Sequence, residues 1–144
     1  MPEGISVALP YIDEVLNAFN IPKLFVDGYE ADDVIGTLAK KAEKAGFTTY
    51  MMTPDKDFAQ LVSKNILLYR PGNKWKPTEV WGVQEVLDKF EITKIEQVID
   101  FLGMMGDAVD NIPGLPGVGE KTAKKFLAEY GSMENLLANT NQLK

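Results

Sequence analysis

Apolar residues along this chain fall into short runs and helical stripes separated by polar turns. From Leu9 to Phe19 they recur at Ile12, Val15, Leu16 and Phe19, the spacing of an amphipathic helix, which Asn20-Ile21-Pro22 ends. Leu24 to Val26 is short and wholly apolar, as a central strand covered on both faces should be. Val34, Ile35, Leu38, Ala39 and Ala42 predict a helix over Asp33 to Ala45, stopped by Gly46. Thr48 to Thr53 reads as a second strand, Phe58 to Val62 as a short helix and Ile66 to Arg70 as a third strand. That alternation predicts parallel pairing through right-handed crossovers.

After Arg70 the character changes. Pro71-Gly72-Asn73 opens a polar loop, and Trp75 to Val80 holds at most a short edge strand. Helices are predicted over Val83 to Phe90 and over Lys94 to Met105, the latter with a buried face of Ile95, Val98, Ile99 and Leu102. Two more follow, from about Glu120 to Tyr130 and from Ser132 to Ala138. The expectation is an α/β core over residues 1–74 followed by a helical region over 75–144, with no internal repeat and no low-complexity tract.

Composition narrows the chemistry. At 144 residues and 45% hydrophobic content the chain can bury a real core. It has no run approaching the roughly 20 apolar residues that span a bilayer, and its first residues lack a secretory pattern, so a cytoplasmic protein away from membranes is expected. There is no Cys and no His. Disulfides, thiolate nucleophiles, Cys- or His-ligated metals and an imidazole base are all excluded, which leaves carboxylates, lysines, tyrosines, hydroxyls or a bound hard cation.

The acids are not evenly spread. Glu30, Asp32 and Asp33 precede a helix; Asp55 and Asp57 follow a strand; Asp107 and Asp110 are spaced i, i+3, which on a helical turn points both the same way. With those seven set aside, the net charge of −6 becomes a slight positive excess. Each cluster has an ordinary reading: a helix cap for the first, a solvated turn for the second, a helix start for the third. Asp55-Lys56-Asp57 is not the nucleophile motif of a haloacid-dehalogenase-like phosphatase, since Phe58-Ala59 stands where that motif carries a Thr. The crossover rule delivers loops after parallel strands to one sheet edge, where the clusters could meet. Two carboxylates about 4 Å apart repel by about 4 kcal/mol at an effective dielectric near 20, so convergence would demand protonation or a cation. Oxygen ligands alone select Mg²⁺ or Mn²⁺, and seven acids suit two ions of the kind that hydrolyse phosphodiesters.

The remaining constellation runs from Ile112 to Ala123 and is dense in Gly and Pro. A Walker loop is ruled out because Glu120 intervenes between Gly119 and Lys121. Gly117-Val118-Gly119 instead predicts a tight turn into a helix beginning Glu-Lys-Thr, where backbone N–H groups can approach a phosphate beside Lys121, Lys124 and Lys125. A plain Gly/Pro connector is the other reading.

Taken in order, Glu30-Ala-Asp-Asp33-Val-Ile-Gly, Thr53-Pro-Asp-Lys-Asp57-Phe-Ala-Gln-Leu and Gly106-Asp107-x-x-Asp110-Asn-Ile-Pro-Gly-Leu-Pro-Gly-Val-Gly-Glu-Lys-Thr-Ala resemble the 5′-nuclease domain of bacterial DNA polymerase I, from about Pro2 to Lys144. The resemblance implies a PIN-like three-layer α/β core with a parallel sheet, then a helical region with a helix-hairpin-helix motif at about residues 112–130. It implies a structure-specific 5′-3′ exonuclease and flap endonuclease that uses two Mg²⁺ or Mn²⁺ ions. Glu30, Asp32, Asp33, Asp55, Asp57, Asp107 and Asp110 would be metal ligands, with Asp33, Asp55, Asp57 and Asp107 central to catalysis. Gly114, Gly117, Val118, Gly119, Lys121, Thr122, Lys124 and Lys125 would grip duplex DNA bearing a 5′ flap or nick, commonly with a K⁺ ion. A monomer is expected, with a polymerase domain in cis in the parent chain. Two family segments do not match: a first strand carrying a further metal-binding Asp, and a basic helical arch. The expectation is therefore a fragment with one metal site incomplete and with impaired activity. A non-catalytic duplex-binding module is the competing reading, and a PIN-type ribonuclease a third that the Gly117-Val118-Gly119 turn disfavours.

Overall fold

The computed structural model describes residues 3–142, which divide into two compact units, Met1–Val34 and Ile35–Lys144.

In the first unit, helix α1 spans Glu3–Ala18 and so starts a turn and a half before the expected Leu9, running through Pro10. It closes where expected: Asn20 takes a left-handed φ of 55° and the Ile21 N–H donates to the Leu16 carbonyl at 2.9 Å. Lys23 pairs with Asp13 at 2.8 Å. The strand expected at Leu24 to Val26 is not formed. Residues 21–26 have no regular structure, and Phe25 is 87% exposed. An extended tripeptide becomes a strand only where another strand takes its N–H and carbonyl groups, and none pairs with it among the described residues. Helix α2, Ala31–Lys44, begins at the end of this unit and continues into the next, with Gly46 beyond its end at φ 84°.

The second unit holds a three-stranded sheet in the order β1 (Thr49–Met52), β2 (Ile66–Arg70), β3 (Glu79–Trp81). β1 and β2 are parallel in the register Thr49–Ile66 to Met52–Tyr69, whereas β2 and β3 are antiparallel, with Leu68 opposite Trp81. The sheet is thus mixed and not all-parallel. Loop length decides this: residues 53–65 contain the expected short helix, a 3₁₀ helix at Asp57–Leu61, and suffice for a crossover. Residues 71–78 do not reach the dozen or so that a parallel connection needs, so the chain must return as a hairpin.

Helices α3 (Val83–Phe90), α4 (Gln97–Met105), α5 (Glu120–Tyr130) and α6 (Met133–Ala138) complete the unit, with a closing 3₁₀ turn at Thr140–Gln142. Ile66, Leu68, Val86, Val98 and Met104 are the largest fully buried side chains. Helix α4 starts three residues later than its periodicity suggested, and its buried face is Gln97, Val98, Phe101 and Met104 while Ile99 is exposed. Gln97 explains the shift. Its Oε1 accepts from the N–H groups of Thr93 and Lys94 at 2.8 and 3.1 Å and from Thr93 Oγ1 at 3.1 Å, and its Nε2 donates to the Gly131 carbonyl at 2.8 Å. A buried amide bonded through both its oxygen and its nitrogen fixes the helix start and its rotation, and an apolar periodicity count cannot see it. No described helix is long and apolar enough to cross a membrane.

Candidate functional site

The loop leaving β1 is built by its own side chains. Thr53 Oγ1 accepts from the Asp55 N–H at 3.2 Å, and Asp55 Oδ1 accepts from the Asp57 N–H at 2.9 Å, so the two acids lie on successive side-chain-closed turns before the 3₁₀ helix. A third bond holds the loop to the sheet: Arg70 Nη2 donates to the Pro54 carbonyl at 2.7 Å. Arg70 is itself held by Trp81, its guanidinium lying 4.2 Å from the ring centroid, and by Glu79 at 3.9 Å. Nothing in the residue pattern around it marks Arg70 as part of a site. The signal was in the register, since parallel pairing of Met52 with Tyr69 puts residue 70 beside the start of the loop.

The third acidic pair stands on a loop and not on the helical turn that its spacing suggested. Asp107 and Ile112 exchange both backbone hydrogen bonds, at 2.9 and 2.8 Å, and Asp107 Oδ1 accepts from the Val109 N–H at 2.7 Å. Asn111 turns the chain at φ 58°. The loop continues α4 past Gly106, and α4 packs against the 3₁₀ helix that Asp57 begins. The second and third clusters are therefore brought to one place by helix packing. Asp57 records it. Its carboxyl is held above the ordinary range by burial first, then by the charge of Asp55, with Lys56 opposing and with Asp107 and Asp110 adding to the rise. Asp57 Oδ1 is buried and has no hydrogen-bond partner. A carboxylate oxygen shut off from water beside further carboxylates offers one donor to a hard cation, and an all-oxygen donor set matches Mg²⁺ or Mn²⁺ in its chemistry. Among the described residues, however, no group of three or more acidic side chains stands where it could hold a metal ion.

The first cluster belongs to the other unit. Glu30 directly precedes α2, Asp32 and Asp33 lie in its first turn, and the Glu30 N–H donates to Asp33 Oδ2 at 3.3 Å. Asp33 thereby caps the helix, the ordinary reading of such a cluster.

In the Gly/Pro stretch, Leu115-Pro116-Gly117-Val118 forms a tight turn. The Val118 N–H donates to the Leu115 carbonyl at 3.0 Å, with Pro116 in the second position and Gly117 at φ 77° in the third, where a side chain is disfavoured. Gly119 then precedes α5 with extended backbone at φ −103°. A Cβ at Gly117 or Gly119 would meet nothing within 4 Å. Gly114 differs: at φ 63° its Cβ would lie 2.6 Å from the Gly106 nitrogen, so packing alone accounts for its missing side chain. Lys121 and Lys125 are exposed and Thr122 is half-buried. Lys124 is committed within the chain, to Glu120 at 2.7 Å and Glu91 at 2.8 Å, and these hydrogen bonds raise its pKa.

Comparison with known proteins agrees with this geometry. Residues 1–91 match the family model of the 5′-3′ exonuclease N-terminal resolvase-like domain, and residues 93–144 match that of the 5′-3′ exonuclease C-terminal SAM fold. A 5′-3′ exonuclease of Aquifex aeolicus is 45% identical over 96% of this chain and 46% of its own length. DNA polymerase I of Bacillus subtilis is 42% identical over 99% of this chain and 16% of its own. The chain thus spans under half of the exonuclease relative and about a sixth of the polymerase. Among solved structures, the T5 D15 protein co-crystallized with metal ions superposes with a TM-score of 0.74 at 19% identity, over 96% of this chain and 53% of that one. The catalytic core of Rad2 in complex with DNA substrate gives 0.69 at 19% identity, over 94% and 44%. With the two family models together matching nearly all of its residues and the fold shared, this chain belongs to the 5′-3′ exonuclease family of nucleases, which includes the N-terminal regions of bacterial DNA polymerase I.

Proposed function

We propose that the chain carries the metal-binding and duplex-gripping parts of a structure-specific 5′-3′ exonuclease and flap endonuclease working beside a polymerase in repair and Okazaki-fragment processing. The observation that carries this reading is Asp57, which has a buried, unpartnered carboxylate oxygen and whose carboxyl is raised in pKa by burial and by the charges of Asp55, Asp107 and Asp110. Asp55, Asp57, Asp107 and Asp110 would hold divalent metal, and Glu30, Asp32 and Asp33 would be metal ligands in the unit to which they belong. Bound Mg²⁺ or Mn²⁺ supplies an activated water and stabilisation of the leaving oxygen of a phosphodiester. The chain's own residues prepare the site. Asp55 fixes the Asp57 backbone, Arg70 pins the loop through Pro54, and the Asp107–Ile112 bridge sets the third pair.

The duplex would be held by the turn before α5. Gly119 is free of conformational and packing constraint, so its missing side chain favours close approach by another molecule, and the N-terminus of α5 favours an anion. Gly117, Val118 and Gly119 would meet phosphates through backbone N–H groups, with Lys121, Thr122 and Lys125 beside them and a K⁺ ion as an aid. Gly114 and Lys124 shape this region from within. The protein would act as a cytoplasmic monomer.

A nicked duplex with a 5′ flap, incubated with and without Mn²⁺, tests the reading. Metal-dependent release of the flap, lost in Asp57→Asn, is the expected result. Flap binding with no metal-dependent cleavage would instead establish a duplex-binding module, a reading that the open turn at Gly117 and Gly119 supports by itself.

A further inference from the structure

A cavity of about 250 Å³ opens beside the acidic loop, lined by Lys56, Arg70, Lys89 and Glu120 over a floor that includes Trp81 and Met105. In a chain of net charge −6 this is a local excess of cations. Arg70 is spent on the Pro54 carbonyl, and its guanidinium lies 4.2 Å from the Trp81 ring centroid. Lys89 lies 4.8 Å from the same centroid and 3.4 Å from Glu79, a carboxylate that Arg70 shares and Trp81 Nε1–H also donates to, at 2.6 Å. Glu120 is taken up by Lys124 at 2.7 Å. Lys56 forms no ion pair among the described residues, although it stands between Asp55 and Asp57. Glu120 is thus engaged by Lys124 and Glu79 is shared between Arg70 and Lys89, so two cations meet one carboxylate there, and the exposed amine of Lys56, with that of Lys89, remains able to receive an anion.

We infer that this cavity is a phosphate subsite, in which Lys56 and Lys89 hold a DNA phosphodiester neighbouring the one presented to the acidic loop. Its volume lies below the roughly 300–1,000 Å³ of pockets that enclose whole small ligands, which suits one phosphate group on a chain and not a nucleotide with its base. Trp81 is 5% exposed and offers no face for a base to stack on, so the recognition is of charge and carries no sequence preference. The inference rests on the nuclease reading for the identity of the polyanion, but not for the existence of the subsite.

Two measurements separate these. In the first, inorganic phosphate is titrated into the metal-free chain carrying Trp75→Phe, and the Trp81 indole N–H resonance is followed, since Trp81 lines the cavity and its N–H donates to Glu79, the carboxylate that Lys89 also meets. A saturable shift, lost when Lys56→Gln and Lys89→Gln are combined, is expected; a shift that never saturates, or that survives the double substitution, overturns the subsite. In the second, the affinity of the same proteins for a nicked duplex is followed against salt in EDTA. Each lysine that meets a DNA phosphate should lower the slope of log K against log salt by about 0.9, whereas Lys64→Gln, on the exposed turn before β2, should leave it unchanged. Phosphate saturation with an unaltered slope would overturn the assignment to DNA, and failure of flap cleavage alone would leave both results standing.

Discussion

Two glycines five residues apart should respond in opposite ways to the same methyl group. At Gly114 a Cβ would stand 2.6 Å from the Gly106 nitrogen and the Met105 carbonyl carbon and 2.7 Å from the Met104 oxygen, all backbone atoms that no rotamer change can move. Its φ of 63° adds the left-handed penalty of about 1–2 kcal/mol, and a forced backbone shift costs about 1–3 kcal/mol. Gly114→Ala should therefore lose about 2–5 kcal/mol, or roughly 8–20 °C in melting temperature at about 4 °C per kcal/mol for a chain of this size. At Gly119 the backbone is extended and the space empty. Reduced freedom of the unfolded chain favours Ala there by about 0.4–1 kcal/mol, while Ala caps a helix less well than Gly by a similar amount. Gly119→Ala should melt within about 2 °C of the parent and yet bind nicked duplex more weakly. Calorimetry and anisotropy on the same preparations decide it. A Gly119→Ala protein that melts as low as Gly114→Ala, or one that binds duplex unchanged, would refute the division between a glycine needed for packing and one needed for a partner.

Further outcomes follow from the loop geometry. Asp57→Asn should raise the melting temperature of the metal-free protein at neutral pH by about 2–4 °C, since it removes a charge disfavoured first by burial and then by Asp55, together worth about 1 kcal/mol or less after solvent screening, and should abolish stabilisation by Mn²⁺. Because burial and neighbouring acids raise the Asp57 pKa, the native state takes up its proton more readily than the unfolded chain. Metal-free stability therefore falls as pH rises above the ordinary carboxylate value of 3.8, and melts of Asp57→Asn should lack that part of the slope. Arg70→Ala strands the Pro54 carbonyl and uncovers Trp81; urea unfolding should show a loss of about 1–3 kcal/mol, and calorimetric titration weaker Mn²⁺ binding. Ser132→Ala removes the acceptor for the Asn135 N–H at the start of α6 and should cost about 1 kcal/mol by the same denaturation.

Much of the second unit was legible because its signals are local. β2 and α3 and α5 occupy the spans that their apolar spacing and flanking Gly or Pro residues predict, and Ser132 caps α6 as its residue type suggests. What was not legible depends on partners far along the chain. Leu24 to Val26 has strand composition but no neighbouring strand, and the antiparallel return of β3 follows from loop length more than from its own residues. At the candidate site, residue types single out Asp55, Asp57, Asp107 and Asp110, but the helical reading of the last two failed, because Asn111 and Gly106 turn the chain where only i, i+3 spacing was counted. Arg70 stayed hidden since its task is a single bond to a carbonyl, which leaves no compositional trace.

The Gln97 amide joins the entry to α4 with the corner between α5 and α6 through one buried side chain. If that corner lifts away, an amide hydrogen loses its acceptor inside the protein, so partial opening is penalised almost as much as complete opening. The consequence is a shared exchange clock. The Thr93 and Lys94 amides, which donate to Gln97, should exchange with deuterium at the pace of the α5–α6 corner, more than thirty residues away along the chain. In Gln97→Leu the two ends should exchange independently, with the α6 end opening first.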